Sequence, residues 1–405
     1  MRERFIRALN AHILFGVVAS SILSFMQFNH CRLRNGWYSK DAYCKFGYTD
    51  IQELFITRGL NQKVFPYEST SNSFEYPPIL GIGNWLISCI TPSSNSRLWF
   101  FVINIVIIVF LFCLTGYFVM KIVPNNSYLF YTSPACIATL YTNWDMWVVF
   151  ATILSIYNFE REKNQSSAIW LGIAISTKLF PIVLLPLIAV LFLKKNLYLS
   201  AFKYVSITVS TCALINLPII VTHFDGWSRF LRLNQERGVD LGSVYLYLLH
   251  LNVRISSLNA ISQFLTVCSL VAYYFFLFKT KRELTIAQCT FIPVALLTLF
   301  SKVYSPQYIL WLTPLAIFAI QSNRMKLLYW FWQMTELVYI IALQVYFLNV
   351  ETNNYLFIID YYPLAILFRI VGITIFVFSV MVGTGRKPES INLSINKYSK
   401  KLNLN

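Results

Sequence analysis

Ile79-Leu80-Gly81-Ile82-Gly83-Asn84-Trp85-Leu86-Ile87-Ser88-Cys89-Ile90 is an apolar run that stops at Thr91-Pro92-Ser93-Ser94-Asn95-Ser96. A helix that crosses a bilayer needs about 20 apolar residues, with about 17 as the lower end. The run falls short, so it reads as an interfacial or re-entrant helix that returns to the side it came from. That reading decides the topology, because a crossing here would move every later basic loop to the other side of the membrane.

Composition sets the class. The 405 residues are 57% hydrophobic, 17% aromatic and only 12% charged, with a mean hydropathy of +0.58. Soluble domains carry about 25% charged residues, so an all-α polytopic membrane protein is expected. Twelve candidate crossings follow, at about 11–28, 98–120, 128–142, 146–159, 168–177, 179–193, 200–221, 259–278, 286–300, 306–320, 327–348 and 362–383. The pieces 168–177 and 179–193 are short and break at Lys178 and Pro181. Such breaks are tolerated beside a cavity rather than beside lipid.

The net charge is +16. The basic residues occupy short loops and the chain ends, which fits the positive-inside rule and not the single patch of a nucleic-acid binder. Arg2, Arg4, Arg7, Lys121, Arg161, Lys163, Lys194, Lys195, Lys279, Arg282, Arg324, Lys326 and the tail from Arg386 then share the cytoplasmic side. The expected layout is a cytoplasmic N-terminus and first crossing (1–28), an outer catalytic loop with interfacial helices (29–97), a bundle with outer loop 222–258 (98–383), and a basic cytoplasmic tail (384–405). The first crossing reads as an uncleaved signal anchor.

On this layout the other ionisable residues gather on the outer face, where charge near membrane depth points to function. Tyr48-Thr49-Asp50-Ile51 opens the outer loop, and Glu53, Arg58, Tyr67, Glu75 and Tyr76 follow. Asp50 reads either as a cap for the helix that begins at Ile51 or as a base. Lys178 is either a snorkelling lysine or a cation for a lipid-linked phosphate. Lys302 lies at the same level, with Ser305, Gln307 and Tyr308 as further donors. Asp145, in Asn143-Trp144-Asp145, is an acid between two closely spaced spans. Asp225, Arg229, Arg232, Glu236, Arg237 and Asp240 in loop 222–258 read as a solvated mixed-sign face, although the arginines suit phosphate. Cys31 and Cys44 share the outer loop and could pair in an oxidising compartment. The sequence carries no zinc-ligand spacing, no phosphate-cradling glycine loop and no long repeat of the inverted-repeat transporter kind.

The ordered stretches Tyr48-Thr49-Asp50-Ile51, Arg58-Gly59-Leu60 leading to Pro66-Tyr67, Tyr76-Pro77-Pro78, Asn143-Trp144-Asp145, Lys178-Leu179-Phe180-Pro181 and Phe300 to Trp311 resemble the integral-membrane glycosyltransferases of the C superfamily. The likeness is to bacterial mannosyltransferases of glycosyltransferase family 87 and to the first mannosyltransferase of glycolipid-anchor synthesis. The latter carry a second Asp two residues after the first, where this chain has Gln52. That departure leans toward the bacterial family.

The resemblance implies a bundle of about 10–12 transmembrane helices. It also implies transfer of a hexose, mannose first, from a polyprenyl-phosphate donor to an extracytoplasmic glycan or glycolipid acceptor, with inversion. Asp50 would be the general base; Lys302, Lys178 and Gln307 would hold the donor phosphate. Tyr48, Glu53, Arg58, Tyr67, Tyr76 and Asp145 would contact substrate. No cofactor and no metal is expected. The location implied is the plasma membrane with an outward active site, or the endoplasmic reticulum membrane with a lumenal one. The competing classes are a lipid or solute transporter and a non-enzymatic assembly subunit.

Overall fold

The computed structural model describes residues 2–33, 47–69, 72–352 and 361–384. Among them the chain is helical, with no strand. The Cys31–Cys44 pairing and the basic tail from Arg386 lie outside what is described.

After α1 (Arg2–Leu33) come α2 (Asp50–Thr57), α3 (Pro78–Ile90) and α4 (Ser96–Ile122). The apolar run that opens the sequence analysis is α3, 13 residues long and started by Pro78 at its first turn, where a missing N–H costs nothing. The expected crossing at 128–142 is instead two short helices, α5 (Tyr128–Thr132) and α6 (Pro134–Thr139). Pro134 is the cause, since the residue before a proline is pushed out of helical geometry; Ser133 is extended at φ −70°, ψ 112°.

The chain then runs through α7 (Asp145–Phe159), α8 (Asn164–Ile175), α9 (Leu184–Lys194) and α10 (Tyr198–Trp227). The break expected at Lys178 lies between α8 and α9, closed by a short 3₁₀ turn over Phe180–Val183. Next come α11 (Arg229–Glu236), α12 (Val244–His250), α13 (Leu258–Lys279), α14 (Ile286–Cys289), α15 (Phe291–Phe300), α16 (Ile309–Ala319), α17 (Asn323–Thr352) and α18 (Tyr362–Thr384). By length and apolarity α4, α10, α13 and α18 can each cross a bilayer. Shorter apolar helices pack among them, as a polytopic membrane protein requires.

Neighbour contacts close a circuit: α1 to α4, α7, α8, α10, α9, α13, α15, α18, α17, α6 and back to α1. Inside it lies α16, which touches α4, α6, α7 and α15. Every residue of α16 is buried, as expected of a helix that is apolar all round. The start of α7, the link after α8 and the start of α16 meet at one end of the bundle, where Lys178 and Trp311 both bond Asp145, and the end of α15 reaches the same cavity through Leu297 and Thr298. The segment that carries α2 and α3 is sewn to that same end: Asp50 N donates to Thr142 O at 2.8 Å, Thr49 Oγ1 to Tyr141 O at 2.8 Å, and Ile79 N to Ser176 O at 3.2 Å.

Candidate active site

Helix α2 begins where its N-cap allows. Thr49, not Asp50, caps it: the Thr49 hydroxyl accepts from Ile51 N at 3.3 Å. The cap reading of Asp50 therefore gives way, and its carboxylate is free for another task. One oxygen accepts from the Tyr48 hydroxyl. The other accepts from Asn143 Nδ2 at 2.6 Å, and the same amide donates to Tyr76 Oη at 2.7 Å.

Asn143 is the hinge of the cluster. Its carbonyl oxygen accepts from Trp144 N at 2.6 Å and from Lys178 Nζ at 3.0 Å, which fixes the amide so that its N–H₂ points at Asp50. Lys178 Nζ also donates to Asp145 Oδ1 at 2.7 Å, and Trp311 Nε1 donates to the same oxygen. The ammonium lies 4.6 Å from the centre of the Tyr76 ring. Trp311 in turn stacks between Phe180 at 4.3 Å and Tyr308 at 3.7 Å. The lysine thus pairs with Asp145 and reaches Asp50 only by way of the Asn143 amide, and Asp145 Oδ2 is buried with no hydrogen-bond partner among the described residues.

Burial pushes the Asp50 carboxyl up, and the nearby Glu75 anion adds to the rise. The bonds from Tyr48 and Asn143 and the Lys178 charge oppose it. The result is a rise from 3.8 to about 6. Burial likewise raises the Tyr76 phenol, helped by the negative charges of Asp50 and Glu75. A carboxyl with a pKa near 6 is ionised at neutral pH and still basic enough to take a proton usefully.

These groups face a cavity of about 560 Å³. Of the residues singled out in the sequence, Asp50, Tyr48, Tyr76, Lys178 and Gln307 line it. Others do not. Asp145 is fully buried behind Lys178. Arg58 forms an ion pair with Glu75, and Glu75 is the member that lines the cavity. Tyr67 is buried, donates to Tyr76 O at 2.8 Å and packs under Gly226. A Cβ at Gly226 would collide with the Tyr67 carbonyl, so this tyrosine holds the loop against α10. Glu53 is half-buried on α2, away from the cavity lining. Gln52 is buried and donates to Arg97 O at 3.3 Å, so no second acid follows Asp50 into the site.

Lys302 is placed differently from its expected role. Its Nζ donates to the backbone carbonyls of Gln235 at 3.0 Å and Arg237 at 2.6 Å, and it is not among the cavity residues. Burial lowers its pKa, and the Arg237 charge adds to that. Lys302 anchors the loop that presents Arg237, and Arg237 and Asp240, 3.5 Å apart, do line the cavity. Loop 222–258 is thus only partly the solvated face read from its mixed charges. Asp225 and Glu236 are exposed, while Asp240 is largely covered and Arg237, still exposed, reaches the cavity rim.

Sequence reasoning also passed over two buried charges, Glu336 on α17 and Arg369 on α18, paired at 2.7 Å. A single charge inside an apolar stretch was the signal that marked them. They sit beside the link that carries Tyr304 and Ser305, next to the cavity wall.

No family model matches the chain. The chain is similar to GPI mannosyltransferase 1 of Candida albicans, 23% identical over 320 residues that cover 67% of this chain and 75% of that protein. Of the two likenesses carried by the motifs, this comparison supports the glycolipid-anchor one.

Proposed function

We propose that this chain is an integral-membrane glycosyltransferase that moves mannose from a polyprenyl-phosphate carrier to a hydroxyl of an extracytoplasmic glycolipid or glycan. The observation that carries the reading is Asp50, a half-buried carboxylate with its pKa raised to about 6, in a cavity that also holds Arg237 and Lys178. Leu179, Ile182 and Leu231 line the same cavity and are exposed on the protein surface, an apolar edge suited to an isoprenoid chain. The similarity to a GPI mannosyltransferase supports mannose as the sugar and a glycolipid as the acceptor. The end of the bundle that carries Asp50 faces away from the cytoplasm, with the short basic loops on the opposite side.

In this mechanism Asp50 accepts the proton of the acceptor hydroxyl as that oxygen attacks the anomeric carbon. The bond from the anomeric carbon to the phosphate oxygen breaks as positive charge develops on the sugar. The electron pair leaves with the lipid phosphate, and direct displacement inverts the anomeric centre. Arg237 offers a forked guanidinium to the departing phosphate, while Lys302 fixes its main chain. Lys178 keeps the two acids apart and holds Asn143, which aims Asp50. The lipid phosphate is already a leaving group, so the reaction balances without a nucleotide.

The deciding experiment supplies polyprenyl-phosphate mannose to membranes that carry the normal or the Asp50→Asn protein. Asn keeps the shape but accepts no proton. Transfer should fall at least ~100-fold at normal expression, the scale of a lost general base. Substantial transfer by the variant removes Asp50 from that role.

A further inference from the structure

The mechanism leaves one buried ion pair unused. Arg369 and Glu336 are both fully buried, with Arg369 Nε donating to Glu336 Oε2 at 2.7 Å. The other two guanidinium nitrogens donate to consecutive backbone carbonyls, Nη1 to Tyr304 O at 2.6 Å and Nη2 to Ser305 O at 3.2 Å. The guanidinium carbon lies 3.4 Å from the Tyr304 ring centroid and 4.1 Å from that of Tyr339. Glu336 Oε1 accepts from the Tyr304 hydroxyl at 2.6 Å and from Trp332 Nε1 at 3.2 Å.

Tyr304 and Ser305 lie in the non-helical link between α15 and α16. Tyr304 and Ser305 are buried, buried carbonyls outside a helix need a donor from the protein, and a planar fork can serve two of them at once. Asp240 grips the same link from the other side, accepting from Tyr304 N at 3.1 Å and from the Ser305 hydroxyl at 3.2 Å. Two consequences reach the cavity. Ser305, Pro306, Gln307, Tyr308 and Trp311 form one of its walls. The 237–242 loop, which carries Arg237, closes against the guanidinium, since a Cβ at Gly242 would collide with Arg369 Nη1 and the Tyr304 carbonyl.

We propose that Glu336–Arg369 is the positioning pair of this enzyme: it sets the Ser305–Trp311 wall and the Arg237 loop in the geometry that binds the donor. The proposal rests on the transferase reading above. Neither residue lines the cavity, so the pair acts through the Tyr304–Ser305 link and Gly242. A pair that only cements α17 to α18 would affect how much protein folds and nothing else.

Donor-concentration kinetics with polyprenyl-phosphate mannose on native membranes separate these roles, using Arg369→Lys, the double variant Glu336→Met/Arg369→Met, and Asp50→Asn. Lysine keeps the charge but loses the fork. The double variant leaves no unpaired buried charge, and such apolar replacements are commonly tolerated by the fold. Both should accumulate as folded protein with kcat/KM for the donor down about 100-fold, the scale of a ~1 Å misplacement. A raised KM should take the larger share, and the lysine variant should be the milder. A folded variant with normal donor KM and kcat overturns the proposal. So does activity that falls only in step with the amount of folded protein at unchanged KM. Asp50→Asn should be inactive throughout; normal transfer by it removes Asp50 as the base and leaves this proposal standing, whereas no transfer by the unaltered protein overturns the transferase reading and this proposal together.

Discussion

Glu336 is fully buried in the bundle and Asp50 is half-buried at the cavity, and both accept a hydrogen bond from a tyrosine hydroxyl. They differ in the third partner. Glu336 is bonded directly to a guanidinium, so its charge is cancelled where it sits. Asp50 receives only neutral donors, Tyr48 and Asn143, while the nearest lysine spends its bonds on Asp145 and Asn143. The first arrangement holds backbone in place. The second keeps a carboxylate that can take up a proton, at the edge of a cavity large enough for a sugar. Charge balance and access to the cavity together separate the two acids.

The comparison breaks most visibly at Lys178. Removing one member of a buried pair leaves an uncompensated charge and costs about 3–5 kcal/mol, and here the lysine serves a fully buried Asp145. Lys178→Ala should therefore lower the unfolding midpoint sharply, and adding Asp145→Asn should recover most of the loss. Thermal melts of the purified variants measure both; a Lys178→Ala protein as stable as the parent would mean that Asp145 is neutral in the fold.

A smaller effect of opposite sign is expected at Asp50 itself. Its folded-state pKa is raised from 3.8 to about 6, so between those values the folded protein binds more protons than the unfolded chain, and stability falls as pH rises. Above pH 6 the buried anion costs on the order of 2–3 kcal/mol. Asp50→Asn should thus be more stable than the parent at pH 7.5, and the advantage should vanish near pH 4. An equal or lower melting temperature at pH 7.5 would contradict the burial account of its pKa.

The smallest effect is on the pH profile. With Asp50 as base, kcat/KM should fall as the medium is acidified through about pH 6. The Tyr48 hydroxyl stabilises the anion, so Tyr48→Phe should move that acid limb to higher pH with little change in the plateau. A limb that stays in place assigns the titration to another group.

Much of the fold was legible in the chain. Low charge, long apolar stretches and short basic loops announce a polytopic helical protein, because the bilayer admits no other helical composition. The shortness of Ile79–Ile90 and the break at Lys178 both survive as α3 and as the α8–α9 junction. The site was legible where a polar residue interrupts apolar surroundings: Asp50, Tyr76, Lys178 and Gln307 all face one cavity. Residues that owe their place to long-range packing were not legible. Arg237 and Asp240 look like the rest of a mixed-sign loop until Lys302 ties that loop against the cavity rim. Asn143 looks like a turn residue until its amide is seen between Lys178 and Asp50.

The sequence alone determined that this protein lives in a membrane as a helical bundle and that an acid near position 50 sits in a polar island, since hydropathy and charge pattern are local properties. Only the tertiary structure decided which cation faces the cavity, which lysine is a tether, and which buried acid is free to act. Those outcomes depend on which partner lies within about 3 Å, and residues as far apart in the chain as Asp50 and Asn143, or Tyr304 and Arg369, meet only when the bundle closes.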